Sequence, residues 1–364
     1  MKNKIKVFLQ YPWMFPDSPY YKYLVDNPPE NIEFLNAKRQ KGVIINKKFF
    51  WFSNFLKRNI RRLTNKLNLS IPNAHLTKTS QDYDLIHCCH CLSKNKNKPW
   101  VTDIESIWQL YIGKKTKKSK EKVREILTNK NCKKIMPWTQ TTANEIIKEF
   151  PEIKDKVKVV YPAIPLPNIK RKRHKNINLL FVGRYFYEKG GLHALEVIDK
   201  LTKKYNNVKG IIVSEVPESV LKKYSQNRKI KFFGLMPQKE LFELHSNSDI
   251  FVYPGYSDSF GFAYLEAMSF GIPIITVDGF ARKEIIDEGK TGFIVGRKDP
   301  EWYPTKKEGE EIIEEFIKKI SLIIKNKKLR EKISKNCIEI IKNGKFSIKE
   351  RNKKIKEIYE EALK

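Results

Sequence analysis

Long apolar runs are missing from this chain. The longest strings, such as Phe49–Phe52 and Gly210–Val213, fall far short of the ~18 residues a spanning helix needs, which argues against a helical membrane span. The opening residues, MKNKIKVFLQY, pass directly into a strand-like pattern, with neither a long apolar segment nor a small-residue cleavage site. No secretion signal is therefore expected. Cysteine is scarce: Cys88, Cys89, Cys91, Cys132 and Cys337. An odd, small set in a long chain without a signal points to reduced thiols and a cytoplasmic location, not to a disulfide framework. Acidic residues are also short, 41 against 72 Lys and Arg, for a formal charge of +31. Such an excess attracts polyanions, either nucleic acid or anionic lipid headgroups. A lysine-rich composition spread over a solvated surface gives the same sum, so only local clustering identifies a patch.

What is present is enough apolar residue, 40% of 364, to build two cores, the usual arrangement at this length. From Asn176 onward strands and helices alternate. Asn176–Gly183 is a near-continuous apolar run ending at glycine, which suits a strand buried on both faces. Leu192, Leu195, Ile198 and Leu201 follow at helical spacing. Strands are read at Val208–Ser214, Lys229–Gly234, Asp249–Pro254, Pro273–Val277 and Gly292–Val295. Helices are read at Glu218–Tyr224, Gln238–Ser246, Phe262–Phe270 and Arg282–Asp287. The first half repeats the habit less cleanly, with strands at Lys4–Gln10, Ile32–Leu35, Asp84–Cys89, Trp100–Ile104, Lys134–Pro137 and Val157–Val160, and a helix at Thr141–Phe150. The expected fold class is α/β, two Rossmann-like parallel-sheet domains facing across a cleft. Pro162, Pro165 and Pro167 with the basic run Lys170–Lys175 read as a linker. The expected domains are 1–167 and 168–346, with a last helix over about 347–364 returning to the first.

Ligands of such sheets sit beyond the C-terminal strand ends. After the strand Asn176–Gly183 comes GRYFYEKGG, residues 183–191, and then a helix. The glycines permit a tight turn, the helix N-terminus favours an anion, and Arg184 and Lys189 add positive charge. A planar guanidinium and a compact ammonium can share the oxygens of a diphosphate; an ordinary surface pair beside a turn fits as well. After Asp249–Pro254 comes Asp258, then Ser259, Phe260, Gly261, Phe262 and Ala263 at a helix start, then Glu266. Glu266 stands among Ala263, Leu265, Ala267 and Met268, where a charge is costly without a partner. It fits a carboxylate that accepts two hydrogen bonds from a vicinal diol. The plainer alternative makes Asp258 a helix cap and Glu266 a solvated side chain.

The segment SDSFGFAYLEAMSFGIPIIT resembles the E-x7-E signature of retaining glycosyltransferase family 4, a GT-B fold. FVGRYFYEKGGLHAL resembles that family's phosphate-binding stretch. IKFFGLMPQKELFELHSNSDIFVYPG and GFARKEIIDEGKTGFIV resemble the units on either side, in the family's order. The resemblance covers about half the chain, from roughly Asn176 to Val295. It implies that Arg184 and Lys189 hold the donor diphosphate, Glu266 the ribose hydroxyls, and Gly234, Leu235 and Met236 the base. The backbone of Gly261–Ala263 with Asp258 would face the donor sugar. It implies transfer of a hexose with retention from a UDP- or GDP-sugar to a glycan or lipid-linked acceptor of the cell surface. No metal or cofactor is implied, since the two basic side chains and the helix N-terminus neutralise the departing charge.

Three departures stand out. The first acid of the signature is Asp258, one methylene shorter than the usual Glu. The loop Tyr11–Tyr20 has no glycine. Where many members carry a His after the strand Trp100–Ile104, this chain has Asp103 and Glu105, candidates for orienting the donor sugar or contacting the acceptor hydroxyl. These departures keep open a GT-B protein that binds a sugar nucleotide with weak or no transfer. The HCCHC string at 87–91 invites a zinc reading, but the ligand pairs of structural zinc are separated by two to four residues, and a buried strand holding small thiols is preferred. A nucleic-acid protein remains a rival on charge alone, without a recognised module, so no nucleic-acid partner is expected. One cluster does concentrate charge. Phe49, Phe52, Leu56, Ile60, Leu63 and Leu67 follow helical spacing, with Lys57, Arg58, Arg61, Arg62 and Lys66 on other faces. This fits an interfacial helix on an anionic membrane and equally a packed amphipathic helix. A second basic run, Lys114–Lys122, lies in the same half. A peripheral position on the inner face of the cell membrane is the corresponding expectation.

Overall fold

The computed structural model describes residues 4–12, 18–37, 47–67, 69–172, 174–299 and 303–364. The loop Trp13–Asp17 lies outside the described residues, as do Arg173 and the side chains of Phe49, Lys57 and Arg61. The chain divides into two compact units, residues 1–163 with 348–364, and residues 164–347.

The first unit contains β1 (Ile5–Gln10), α1 (Pro19–Asp26), β2 (Ile32–Leu35), α2 (Lys47–Lys66), β3 (Ser70–Pro72), β4 (Ala74–His75), β5 (Leu85–Cys89), β6 (Leu92–Ser93), β7 (Trp100–Ile104), β8 (Tyr111–Gly113), α3 (Lys117–Thr128), β9 (Cys132–Pro137) and α4 (Gln140–Glu149). Its main sheet is parallel, in the order β2-β1-β5-β7-β9. Both β5 and β7 are buried throughout, including the polar side chains of His87, Thr102 and Asp103. The segment Val157–Val160, read above as a strand, runs beside β9 without forming a full strand. It makes an isolated bridge from Val157 to Ile135, and the amides of Lys158 and Val160 donate to the carbonyls of Ile135 and Pro137. Prolines at 162 and 165 leave little room to extend it.

The second unit contains β10 (Ile177–Val182), α5 (Gly191–Lys204), β11 (Val208–Val213), α6 (Glu218–Tyr224), β12 (Ile230–Phe233), α7 (Gln238–Ser246), β13 (Ile250–Val252), α8 (Phe262–Ser269), β14 (Ile274–Val277), α9 (Arg282–Ile285), β15 (Gly292–Val295), α10 (Lys306–Lys325) and α11 (Lys327–Lys342). All six strands are parallel, in the order β12-β11-β10-β13-β14-β15. Strand order reverses between β10 and β13, and that switch opens a crevice at their C-terminal ends. The basic run after Pro167 is not a free linker. Arg171 donates to the carbonyls of Gly271 and Ser248 and to Asp249 Oδ1 at 2.9–3.1 Å, and Lys172 pairs with Glu243. A guanidinium fork with that many acceptors is fixed to the unit that supplies them.

The last helix, α12 (Ile348–Ala362), belongs to the first unit. Lys134 and Lys158 pair with Glu361, and buried Arg351 donates to the carbonyl of Asn27 at 2.7 Å. Among the described residues no helix is long and apolar enough to cross a membrane.

Candidate functional site

Two loops flank the switch point of the second unit, one after β10 and one after β13. They are built against each other. Gly190, the N-cap of α5, has φ +75°, and a Cβ there would lie 2.5 Å from Pro254 Cβ. Only glycine permits that approach in that conformation. The amide of Gly255 donates to the carbonyl of Lys189 at 3.0 Å. The helix starts of α5 and α8 both have glycine as N-cap, Gly190 and Gly261. Neither has a side chain to cap its first amides, the arrangement that suits an anion.

Lys189 forms an ion pair with Asp258 Oδ1, and Tyr253 donates its hydroxyl to Asp258 Oδ2 at 2.5 Å. Burial, then the Asp258 charge, push the Tyr253 phenol well above its usual range and keep it a donor. With both oxygens engaged, Asp258 holds the ammonium at the loop, so in this conformation it acts as a positioning residue. Arg282, overlooked in the sequence, is 1% exposed. It donates to the carbonyls of Asp258, at 2.8 Å, and Gly255, and lies 5.0 Å over the Tyr264 ring. It therefore fixes the shape of the loop that carries Asp258. Its only sequence signal was a basic residue between short strands. Phe260 is fully buried against Phe262 and Phe346, so its side chain packs and is not presented to a ligand. Ser259, Gly261, Phe262 and Ala263 are partly exposed.

Glu266 is buried on α8, where it receives a long hydrogen bond, 3.5 Å, from Gln238 at the start of α7. Burial raises its pKa to about 7, only partly offset by Gln238 and the nearby Arg184 charge. Lys189 and Asp258 thus join the two loops, and Arg184 lies near enough to Glu266 for its charge to act there. Gly234, Leu235 and Met236 form the turn after β12, and the amide of Leu235 approaches Glu215 Oε1 at 3.4 Å. Gln238 and Glu215 carried no spacing signal, since each acts from a neighbouring strand or helix end.

Residues 165–340 match the family described as Glycosyl transferases group 1. The matched stretch, just under half of the chain, is similar to a glycosyl transferases group 1 domain. An uncharacterized 41.2 kDa protein in the cps region of Klebsiella pneumoniae is 31% identical over 159 residues, 40% of this chain and 43% of that protein. An uncharacterized glycosyltransferase of Methanocaldococcus jannaschii is 26% identical over 60% of this chain and 64% of its own. The capsular polysaccharide biosynthesis glycosyltransferase CapM of Staphylococcus aureus is 25% identical over 49% and 46%. The chain thus spans less than two thirds of these curated relatives. Among solved structures, a glycosyltransferase from Rickettsia africae covers 100% of both chains with a TM-score of 0.68 at 14% identity. Anabaena HepE in complex with UDP covers 98% of this chain and 99% of its own, with a TM-score of 0.63 at 14% identity. The fold is GT-B.

Outside the matched stretch, the first unit places Asp103 differently from the expectation. It is 1% exposed. Its carboxylate accepts from the Tyr21 hydroxyl at 2.5 Å and the His90 amide at 3.1 Å, and lies 3.1 Å from His87 Nε2. His87 Nδ1 is in turn 2.6 Å from the Tyr359 hydroxyl of α12. Burial would raise the pKa of Asp103, but His87, His90 and Tyr21 together hold it below its usual range. A carboxylate so engaged organises the interior of the unit and is not presented to an acceptor hydroxyl. Glu105 is partly exposed, and its carbonyl accepts from Thr142 at 2.8 Å. The HCCHC segment supplies His87 and His90 to this network, and its cysteines are buried and free. Among the described residues no group of three or more His, Cys, Asp or Glu is placed to hold a metal.

Proposed function

We propose that this protein is a hexosyltransferase. It would move a sugar from a UDP- or GDP-sugar to a glycan or lipid-linked acceptor, with retention and without a metal, at the cytoplasmic side of the cell. The observation that carries this reading is a pair of glycine-capped helix starts at the strand-order switch, with Lys189 ion-paired between their loops and Arg184 near buried Glu266. The diphosphate would take the amides of α5 or α8 and the charges of Lys189 and Arg184, which then stabilise the departing nucleoside diphosphate. Glu266 would accept two hydrogen bonds from the ribose diol, which replace the weak contact from Gln238 and lower the cost of its burial. Gly234–Met236 would line the base. Asp258 would turn toward the donor sugar as Lys189 moves onto phosphate. HepE, of the same fold, binds UDP, and CapM, by its name, serves capsular polysaccharide biosynthesis; both support this reading.

The test is a panel of UDP- and GDP-sugars with glycan and lipid-linked acceptors, read by mass spectrometry beside calorimetry with UDP and GDP. Transfer from one donor class supports the proposal. Binding without product across the panel turns it into the sugar-nucleotide-binding reading. Absence of both overturns it.

A further inference from the structure

Helix α2 turns apolar side chains outward. At about 100° per residue, Phe52, Leu56, Leu63 and Leu67 share one stripe about 60° wide. An ordinary surface helix buries such a stripe. Here these four residues are 61%, 49%, 57% and 57% exposed, while the small polar Ser53 and Thr64 are buried. Trp51 and Phe55 stand exposed beside Arg58, Arg62 and Lys66, and a shallow groove runs between Ile60, Leu63 and the last two of these. The neighbouring chain confirms which face packs. β3 pairs with β8, Ser70 opposite Gly113, and a Cβ on Gly113 (φ +84°) would lie 2.2 Å from the Leu69 carbonyl and 3.3 Å from Thr64 Cβ. Glycine at 113 is therefore what lets the end of α2 settle with Thr64 inward.

The same pairing joins two basic runs that are far apart in sequence. Gly113 leads directly into exposed Lys114, Lys117 and Lys118, beside the chain leaving α2. From Phe34 to Gln81 the sequence holds eleven Lys and Arg and not one Asp or Glu. Apolar and aromatic side chains turned outward within that acid-free stretch match an acyl layer beneath anionic headgroups. Nucleic acid would use the charge but has no need of the Phe52–Leu67 stripe.

We infer that α2, with the β3–β8 edge, is a docking surface for an anionic lipid bilayer. This deepens the transferase reading, since a lipid-linked acceptor would be met at that surface. The test is flotation of the full chain with vesicles of phosphatidylcholine alone or with 30% phosphatidylglycerol. At least tenfold more protein is expected on the anionic vesicles at low salt. Phe52→Ser with Phe55→Ser should lower that binding at least tenfold, at low and high salt alike. Arg58→Glu with Arg62→Glu should lower it tenfold at low salt. Because all four side chains are exposed, circular dichroism and UDP calorimetry should match the parent, which separates this proposal from the nucleotide site. Equal recovery with both vesicle types, or unchanged binding of the phenylalanine pair, overturns the inference. So does tighter retention on a single-stranded RNA than on anionic vesicles. A chain that floats but binds neither UDP nor GDP would overturn the transferase reading alone.

Discussion

Two buried carboxylates in this molecule have opposite surroundings. Asp103 in the first unit accepts from Tyr21 and His90 and faces His87, and is held below its usual pKa. Glu266 in the second unit has a 3.5 Å contact with Gln238 and a pKa raised to about 7. Burial penalises both charges; its partners outweigh that penalty for Asp103, whereas Gln238 and Arg184 offset it only in part for Glu266. The difference separates two roles that look alike in sequence, where each is an acid set in an apolar run. A buried acid supplied with donors holds a fold together. One that is short of donors is a place where a ligand can supply them.

The strongest break of this comparison is Asp103→Ala, which strands the partners of a buried charge. It should destabilise the first unit by about 3–5 kcal/mol, seen as a lower unfolding midpoint, while UDP affinity in the second unit stays at the parent value. Loss of UDP binding with an unchanged midpoint would exchange the roles of the two acids. Next comes Lys189→Ala, which removes a charge from the departing diphosphate. Transfer should fall by about 100-fold or more, measured as product per unit time, with the midpoint little changed.

The titration of Glu266 gives a sharper and smaller effect. Its folded pKa, about 7, lies above the 4.5 of an unperturbed Glu. Folding therefore favours the protonated form. The stability this confers is full below the unfolded value and is lost as pH rises through about 7. Glu266→Gln should recover up to about 3 kcal/mol at pH 8. A ligand that needs the carboxylate has the opposite dependence: UDP affinity should rise about tenfold from pH 6 to pH 8, and Glu266→Gln should flatten that rise in calorimetry. The smallest effect is expected at the partly exposed Lys134–Glu361 pair. Glu361→Gln should cost under about 1 kcal/mol, and a larger loss would mean that α12 depends on its surface charges more than on buried Tyr359 and Arg351.

The second unit was legible because parallel strands covered on both faces leave continuous apolar runs, and because Arg184, Lys189, Asp258 and Glu266 follow strands directly. Arg282 and Gln238 were not, since each reaches the site from another element and belongs to no local spacing. The first unit hid more. Asp103 was a candidate for orienting the donor sugar or contacting the acceptor hydroxyl, and its network was not visible because its partners, Tyr21 and, through His87, Tyr359, lie 82 and 256 positions away. Helical period revealed the two faces of α2 but not which one packs, a matter decided by Gly113 and the strand that brings it near. The run after Pro167 looked like a linker because the acceptors that hold Arg171 are as much as 163 positions off.

The placement of α12 orders events in the life of the chain. Tyr359 and Arg351 close the interior of a unit whose other residues are made first, whereas residues 164–347 form an uninterrupted stretch. During synthesis the second unit can therefore finish while the first still waits for its final helix. A chain stopped before Ile348 would carry a complete second unit and a first unit with its core open at His87.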